Sequence, residues 1–173
     1  MIVKILTLPD ERLRQRSQEV KVFDKSLLNL IENLTDTLLD QKDPPGLGIS
    51  APQIGVFKRV FVGRIRGKPK AFVNPKILKF SKKMVTYLEG CLSIPELFGH
   101  VVRPQELDIE WQDRQGKKSK GHLKGIAARI AQHEVDHLNG ILFVDHIHTQ
   151  KGKVFKVEKD KEGKDEFIEV TLA

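Results

Sequence analysis

His133, Glu134 and His137 form the pattern His-Glu-x-x-His inside the stretch Gln132–Gly140. On a helix, positions four apart share one face about one turn from each other. Two imidazoles at that spacing can grip one metal ion, and the glutamate beside the first is placed to handle the proton of a water bound to it. The chemistry implied is metal-dependent hydrolysis. The competing reading, two ordinary helix histidines with a solvated glutamate, is weakened by the flanks. Ile126, Ile130, His133 and His137 recur at a 4-3-4 spacing, which sets both histidines on the buried stripe of one helix. Neutral buried imidazoles need partners, and two together suggest a ligand. Asn139-Gly140 supplies the helix stop.

Two histidines leave a catalytic metal one protein ligand short of the usual three. The extended zinc-peptidase pattern runs correctly as far as Gly140 and then requires a histidine where Phe143 stands. A glutamate on a later helix is the other familiar route, but Glu158 and Glu162 fall in a segment that reads as strand and turn. The remaining soft ligand is Cys91, the chain's one cysteine, in Glu89-Gly90-Cys91-Leu92-Ser93. A lone cysteine is commonly a small buried hydrophobe. Beside a glycine that permits close backbone approach, and in a chain that carries a two-histidine clasp, ligation is the stronger reading.

Three stretches occur in order: Gly46-Leu47-Gly48-Ile49-Ser50-Ala51-Pro52-Gln53, Glu89-Gly90-Cys91-Leu92-Ser93 and Gln132-His133-Glu134-Val135-Asp136-His137. With these motifs the chain resembles the peptide deformylases over roughly residues 3–146. It departs from their pattern at Ser50, where alanine is usual, and at Ile49, where leucine is frequent. It also lacks the charged C-terminal helix of many bacterial members. The resemblance implies removal of the formyl group from the N-terminal N-formylmethionine of newly synthesised polypeptides. Cys91, His133 and His137 would hold one divalent metal, typically ferrous iron, with nickel, cobalt or zinc as substitutes in purified protein. Glu134 would take the water's proton and pass it to the departing amine. The Leu92 N–H and the Gln53 side-chain amide would donate to the tetrahedral oxyanion. Gly48 matches a glycine whose backbone pairs with the substrate as an added strand. Leu47, Tyr87, Ile126 and Ile130 are candidates for a methionine pocket by their places beside the motifs, and Glu89 and Arg103 for a structural ion pair. Two other readings compete: a metallopeptidase or other amidohydrolase on the same clasp, and a non-catalytic, ribosome-associated metal-binding module. Glu134 argues against the second, since a purely structural site needs no proton carrier.

The elements that must position these residues follow from periodicity. Leu27, Leu30, Ile31, Leu34, Leu38 and Leu39 form the apolar stripe of a helix capped near Asp24 or Ser26 and ended before Pro44-Pro45-Gly46. Glu11–Arg14 reads as a helical turn. Strands are expected at Val56–Val62, Ala71–Val73, Ile77–Phe80, Met84–Leu88, Leu107–Trp111 and Lys117–Lys124, before a motif helix at Ile126–Leu138. Ile141–Val144 and a polar stretch come next. Lys153–Leu172 alternates around Glu162-Gly163 as a terminal hairpin with partial burial of both faces. The expected class is α+β: mixed, mostly antiparallel sheets packed around a central motif helix, like a peptide deformylase, with a C-terminal β-hairpin.

A length of 173 residues suits one catalytic domain over 1–173, in which residues 149–173 fall outside the resemblance. One cysteine excludes an internal disulfide, and a thiolate ligand persists only in a reducing compartment. The apolar run at Met1–Leu6 is too short for a signal sequence, and no run approaches the ~20 residues of a membrane span. A cytoplasmic enzyme is expected. The net charge of +7 is spread, with clusters at Lys68 and Lys70, Lys82-Lys83, and Lys117-Lys118 with Lys120. It reads as a solvated lysine surface, or as weak attraction to ribosomal RNA. Only 6% of residues are aromatic and none interleave with basic ones, against a dedicated or sequence-specific nucleic-acid reader. Gly46–Gln53 lacks the Lys-Ser/Thr of a phosphate loop.

Overall fold

Side chains along a strand point alternately to opposite faces, and β2 (Val60–Ile65) shows what that does here. Val60 and Val62 are buried in a cluster with Leu27, Leu30, Ile31, Leu34 and Leu38 of α1 (Lys25–Asp40), while Phe61 is buried in a second cluster with Ala128, Ala131 and Leu138 of α2 (Ile126–Leu138). The computed structural model, which describes residues 1–171, therefore places a helix on each face of one sheet. That sheet has five strands in the order β1 (Gly48–Ser50), β2, β3 (Lys68–Phe80), β6 (Glu106–Gln112), β7 (Lys118–Lys124). Phe61 lies opposite Phe72 and stacks on it at 4.6 Å between centroids, anchoring the face that α2 covers.

A second sheet of four strands runs β4 (Met84–Cys91), β5 (Ile94–Pro104), β8 (Val154–Lys159), β9 (Asp165–Val170). Its core joins Ile94, Val101 and Val154 to Leu142, Phe143 and Ile147 around α3 (Phe143–Gln150). Every pairing between named strands is antiparallel, and among the described residues the one parallel contact is an isolated bridge between Gln18 and Lys58. The α+β reading, with sheets around the motif helix and a terminal hairpin, holds.

Several local expectations need correction. Leu39 is 42% exposed and leaves the leucine stripe, because it falls at helical spacing from Leu28 and Glu32, on the outer face of α1. The two short strands on either side of Asn74-Pro75 are one strand, β3, with register shifts at Val73/Lys76 and Ile77/Lys79. Asn74 adopts a positive φ of 49°, and its side chain is held by Val20 and Gln112, so the ladder bends without ending. Val56–Lys58 forms a turn, and β2 begins at Val60. Residues 143–150 form a helix, with the Asp145 carboxylate accepting from the Leu142 N–H.

The hairpin forms, with Val154 paired to Val170 and Lys159 to Asp165. Its turn is longer than Glu162-Gly163 alone: Asp160 Oδ1 accepts from the N–H groups of both Glu162 and Lys164. Burial is partial on both faces of β8, where Phe155 and Val157 are half-buried on the face opposite Val154, and falls off toward β9. Val154 is buried, but Phe167 and Ile168 are 52% and 39% exposed because β9 is the sheet's outer edge. Leu172 of the expected hairpin lies outside the described residues. Deleting the chain after Lys153 is expected to lower the unfolding free energy by about 2–3 kcal/mol, the scale of one buried valine plus a lost strand pairing. Activity per folded, metal-loaded molecule should be unchanged. A cut after His148 would also remove Gln150, whose side chain bonds both the N–H and C=O of Val102, and would confound the measurement. Urea unfolding beside a turnover assay decides it, and a folded truncated protein without turnover would give the tail a catalytic role.

Candidate active site

The clasp is assembled where the two sheets meet α2. β4 and β5 are joined by a tight turn at Leu92-Ser93, with Cys91 opposite Ile94, so Cys91 stands at the tip of a hairpin. The register jumps there from Gly90 opposite Phe98 to Cys91 opposite Ile94, and Glu96 in the extra segment takes φ 67°. Gly90 is required by packing, because a Cβ there would lie 2.5 Å from the Phe98 ring. His133 and His137 project from α2 toward that tip with ring centroids 5.1 Å apart. Cys91 Sγ is 3.2 Å from His137 Nε2, and one ligand atom from each of Cys91, His133 and His137 lies within 4.8 Å of the others.

The helix can sit this close because of two facing glycines. Gly48 of β1 lies opposite Gly63 of β2. A Cβ on Gly48 would be 2.7 Å from Glu134 Oε1, and one on Gly63 would be 2.8 Å from the Ile130 Cγ2. Ile130 and Glu134, four apart on α2, thus press onto bare backbone.

Behind the histidines is a buried charge network. Glu89 accepts from Arg103 Nε at 2.7 Å and Nη2 at 3.1 Å, from Arg129 Nη1 at 2.6 Å, and faces His133 Nδ1 at 2.9 Å. Arg103 Nη1 also donates to Asp136 Oδ2 at 2.7 Å, which lies 2.7 Å from His146 Nε2. Burial works against the Glu89 charge, but hydrogen bonds from His133 and Arg103 and the Arg103 charge outweigh it and hold the carboxyl below the usual range. This orients His133: its Nδ1 is committed to Glu89, leaving Nε2 for the clasp. Glu89→Gln is expected to cost about 3–5 kcal/mol of stability, since two arginines lose a buried counter-charge. It should also weaken metal binding about 10–100-fold. Thermal unfolding and a chelator competition measure the two, and unchanged values in both would remove Glu89 from the site.

In the metal-free chain the two imidazoles are driven apart. Burial opposes charge on both; contacts with Cys91 and Glu89 nevertheless raise the His133 pKa well above normal, and the neighbouring His133 and Arg103 charges push His137 well below. Burial lifts the Glu134 carboxyl to about 7, against the His133 charge and the Ser50 hydroxyl, which favour its ionised form. Glu134 Oε2 and His137 Nδ1 are buried with no hydrogen-bond partner in the protein. A thiol, two imidazoles, a carboxylate behind one of them and an unpartnered carboxylate oxygen alongside fit a catalytic divalent metal better than a closed structural one.

Gln53 reaches the clasp from a 3₁₀ turn, Ala51–Ile54, at the end of β1. Its Nε2 donates to Ser93 Oγ at 3.1 Å and lies 3.7 Å from Cys91 Sγ. Leu92 follows Cys91 in the hairpin turn. The N-terminal segment ties these two motifs together through Leu6 N–H to Gln53 O at 2.7 Å and Leu8 N–H to Ser93 O at 2.9 Å. Of the pocket candidates, Ile130 is buried on Gly63, whereas Leu47 and Ile126 are 51% and 47% exposed, so Ile126 leaves the buried stripe expected of it. The Tyr87 ring packs under the Arg129 guanidinium at 5.0 Å. Arg129, Asp136 and His146 join this network through partners distant in sequence, so the motif spacing does not point to them. Arg129, one helical turn before His133, carried the one available hint, a charge on the inner side of an otherwise apolar turn.

A buried carboxylate beside one thiol and two imidazoles whose ligand atoms converge is an arrangement that could hold a metal ion and suits metal-dependent hydrolysis. The polypeptide deformylase family model matches residues 2–153, and the chain belongs to that family. The peptide deformylase of Agrobacterium fabrum is 41% identical over 155 residues, covering 87% of this chain and 89% of that protein. That of Zymomonas mobilis is 38% identical over 159 residues, covering 87% and 88%. The crystal structure of a peptide deformylase from Legionella pneumophila matches with a TM-score of 0.80 at 42% identity, covering 84% of this chain and 86% of that one. The Thermotoga maritima enzyme gives 0.80 at 36% identity, covering 84% and 97%.

Proposed function

We propose that this chain removes the formyl group from N-formylmethionyl peptides, as a single catalytic domain in which Cys91, His133 and His137 hold ferrous iron. The observation that carries the reading is Glu134, buried on Gly48 one residue along the helix from His133, with one carboxylate oxygen free of any hydrogen-bond partner among the described residues. A divalent ion in this clasp supplies Lewis acidity, which lowers the pKa of a water and polarises a carbonyl oxygen. Glu134 takes the proton of the attacking water and returns it to the departing amine, the task of a positioned carboxylate within reach of both. The Gln53 Nε2 and the Leu92 N–H donate to the oxygen that gains charge, each worth about 3 kcal/mol of barrier.

β1 is an edge strand of its sheet, so the backbone at Gly48 is available to a substrate that adds as a further strand. Leu47, Tyr87, Ile126 and Ile130 are proposed around the methionine side chain. Exposure of Leu47 and Ile126 beside the site supports their place at its mouth. No helix among the described residues is long and apolar enough to cross a membrane. We assign the enzyme to the cytoplasm and to newly made chains, with the +7 surface giving weak, salt-sensitive ribosome association.

Protein purified without oxygen and loaded with Fe(II) is expected to release formate from formyl-Met-Ala and to leave acetyl-Met-Ala and internal peptide bonds intact. Equal cleavage of all three would make it a general amidohydrolase. Metal analysis of the same preparation tests the iron assignment separately, because intrinsic affinity favours nickel or copper over iron.

A further inference from the structure

Ser50 is fully buried, and its hydroxyl donates to Gln53 Oε1 at 3.0 Å, the same oxygen that accepts Ser50's own N–H at 2.9 Å. A backbone N–H alone would suffice to cap the turn, so the hydroxyl adds a second donor to an atom already satisfied. The other end of that amide, Nε2, points to Ser93 Oγ and toward Cys91 Sγ. The fixed Ser50 N–H on Oε1 excludes the flipped amide, which would set its NH2 group against that donor, and the hydroxyl adds a second bond to the same oxygen. The two donors also draw density toward Oε1 and leave the Nε2 hydrogens more positive, the cooperative strengthening expected along a hydrogen-bond chain.

We infer that Ser50 is a positioning residue: its hydroxyl pins and polarises the Gln53 amide so that Nε2 meets the developing oxyanion as a pre-aligned donor. Ser50 touches no substrate atom in this scheme; its hydroxyl also lies against the Glu134 carboxyl, whose ionised form it favours. An effect exerted there would persist in the Gln53→Ala background and shift the pH–rate profile, whereas one exerted through Gln53 would not. The inference rests on the assignment of Gln53 as an oxyanion donor. It gives a role to the polar atom by which this chain departs from the alanine expected in the first motif.

The test compares Fe(II)-loaded parent, Ser50→Ala, Gln53→Ala and the double variant. Ser50→Ala should lower kcat about five-fold, the scale of one hydrogen bond, with KM and metal content unchanged. Added to Gln53→Ala it should cost little more. An equal factor in both backgrounds would overturn the inference, because a purely structural serine acts whether or not Gln53 is present. If Gln53→Ala itself retains full kcat, the oxyanion assignment is what fails. Ser50→Cys keeps the volume but offers a weak donor; it should lose rate as the alanine variant does, and full activity would refute a hydrogen-bonding role. A readout independent of turnover is the Gln53 side-chain amide signal in ¹⁵N–¹H spectra of the metal-free protein. Ser50→Ala should shift it upfield, and an unmoved signal would count against polarisation.

Discussion

Glu134→Gln is expected to keep its metal and to lose at least about 100-fold in turnover, the lower end of what a positioned acid–base group contributes. Glutamine preserves the shape that rests on Gly48 and can still hydrogen-bond a water, but it cannot accept a proton near neutral pH. The same substitution has an opposite effect on the metal-free fold. Burial raises the Glu134 carboxyl from 4.5 to about 7, so the folded protein holds that proton at pH values where the unfolded chain has released it. Stability must then fall as pH rises between those two values and level off above the higher one. In the metal-free form the variant should therefore be more stable than the parent, by roughly 3 kcal/mol, above about pH 7, with the difference vanishing below about pH 4. Metal analysis, formate release and urea unfolding at two pH values check the three parts. A near-normal rate in the metal-loaded variant would mean that another group is the base.

The residues that do chemistry were legible because their spacing is local. His133, Glu134 and His137 are fixed relative to one another by one helix, and that helix was expected at the residues where it occurs. The leucine stripe of α1 and the terminal hairpin were legible for the same reason. What stayed hidden is non-local. β5 reads poorly as a strand because the residues facing inward at positions 99, 101 and 103 are Gly, Val and Arg. Arg103 can face inward only because Glu89 on the neighbouring strand and Asp136 on α2 receive it. Nothing near Arg103 in the chain announces either partner. The short helix Phe143–Gln150 was missed because it carries one buried pair, Phe143 and Ile147, and takes its cap from Asp145 inside its own first turn. The N-terminal strap is a further case, since Leu6 and Leu8 meet the motif loops through backbone atoms that no side-chain pattern encodes.

Cys91→Ser is expected to lose metal far more readily than the about 10–100-fold typical of a removed outer partner, with the fold intact. A serine hydroxyl is a hard, weakly acidic group where the clasp offers a soft thiolate, whereas its size suits the same hairpin tip. Packing should survive because Cys91 only borders the cluster of Ile94, Val101, Leu142, Phe143, Ile147 and Val154. The variant should therefore unfold at the midpoint of the metal-free parent. The loaded parent should be more stable, by about 3 kcal/mol when free metal is a hundred times its dissociation constant. Metal per protein after dialysis, read beside those midpoints, separates a lost ligand from a damaged fold. Metal content equal to the parent's would place the third ligand elsewhere, and the structure leaves few choices. Glu89 has both carboxylate oxygens engaged by two arginines and His133. Glu134 would then have to ligate, which would take the proposed base out of its role. The cysteine variant thus tests the assignment of both residues at once.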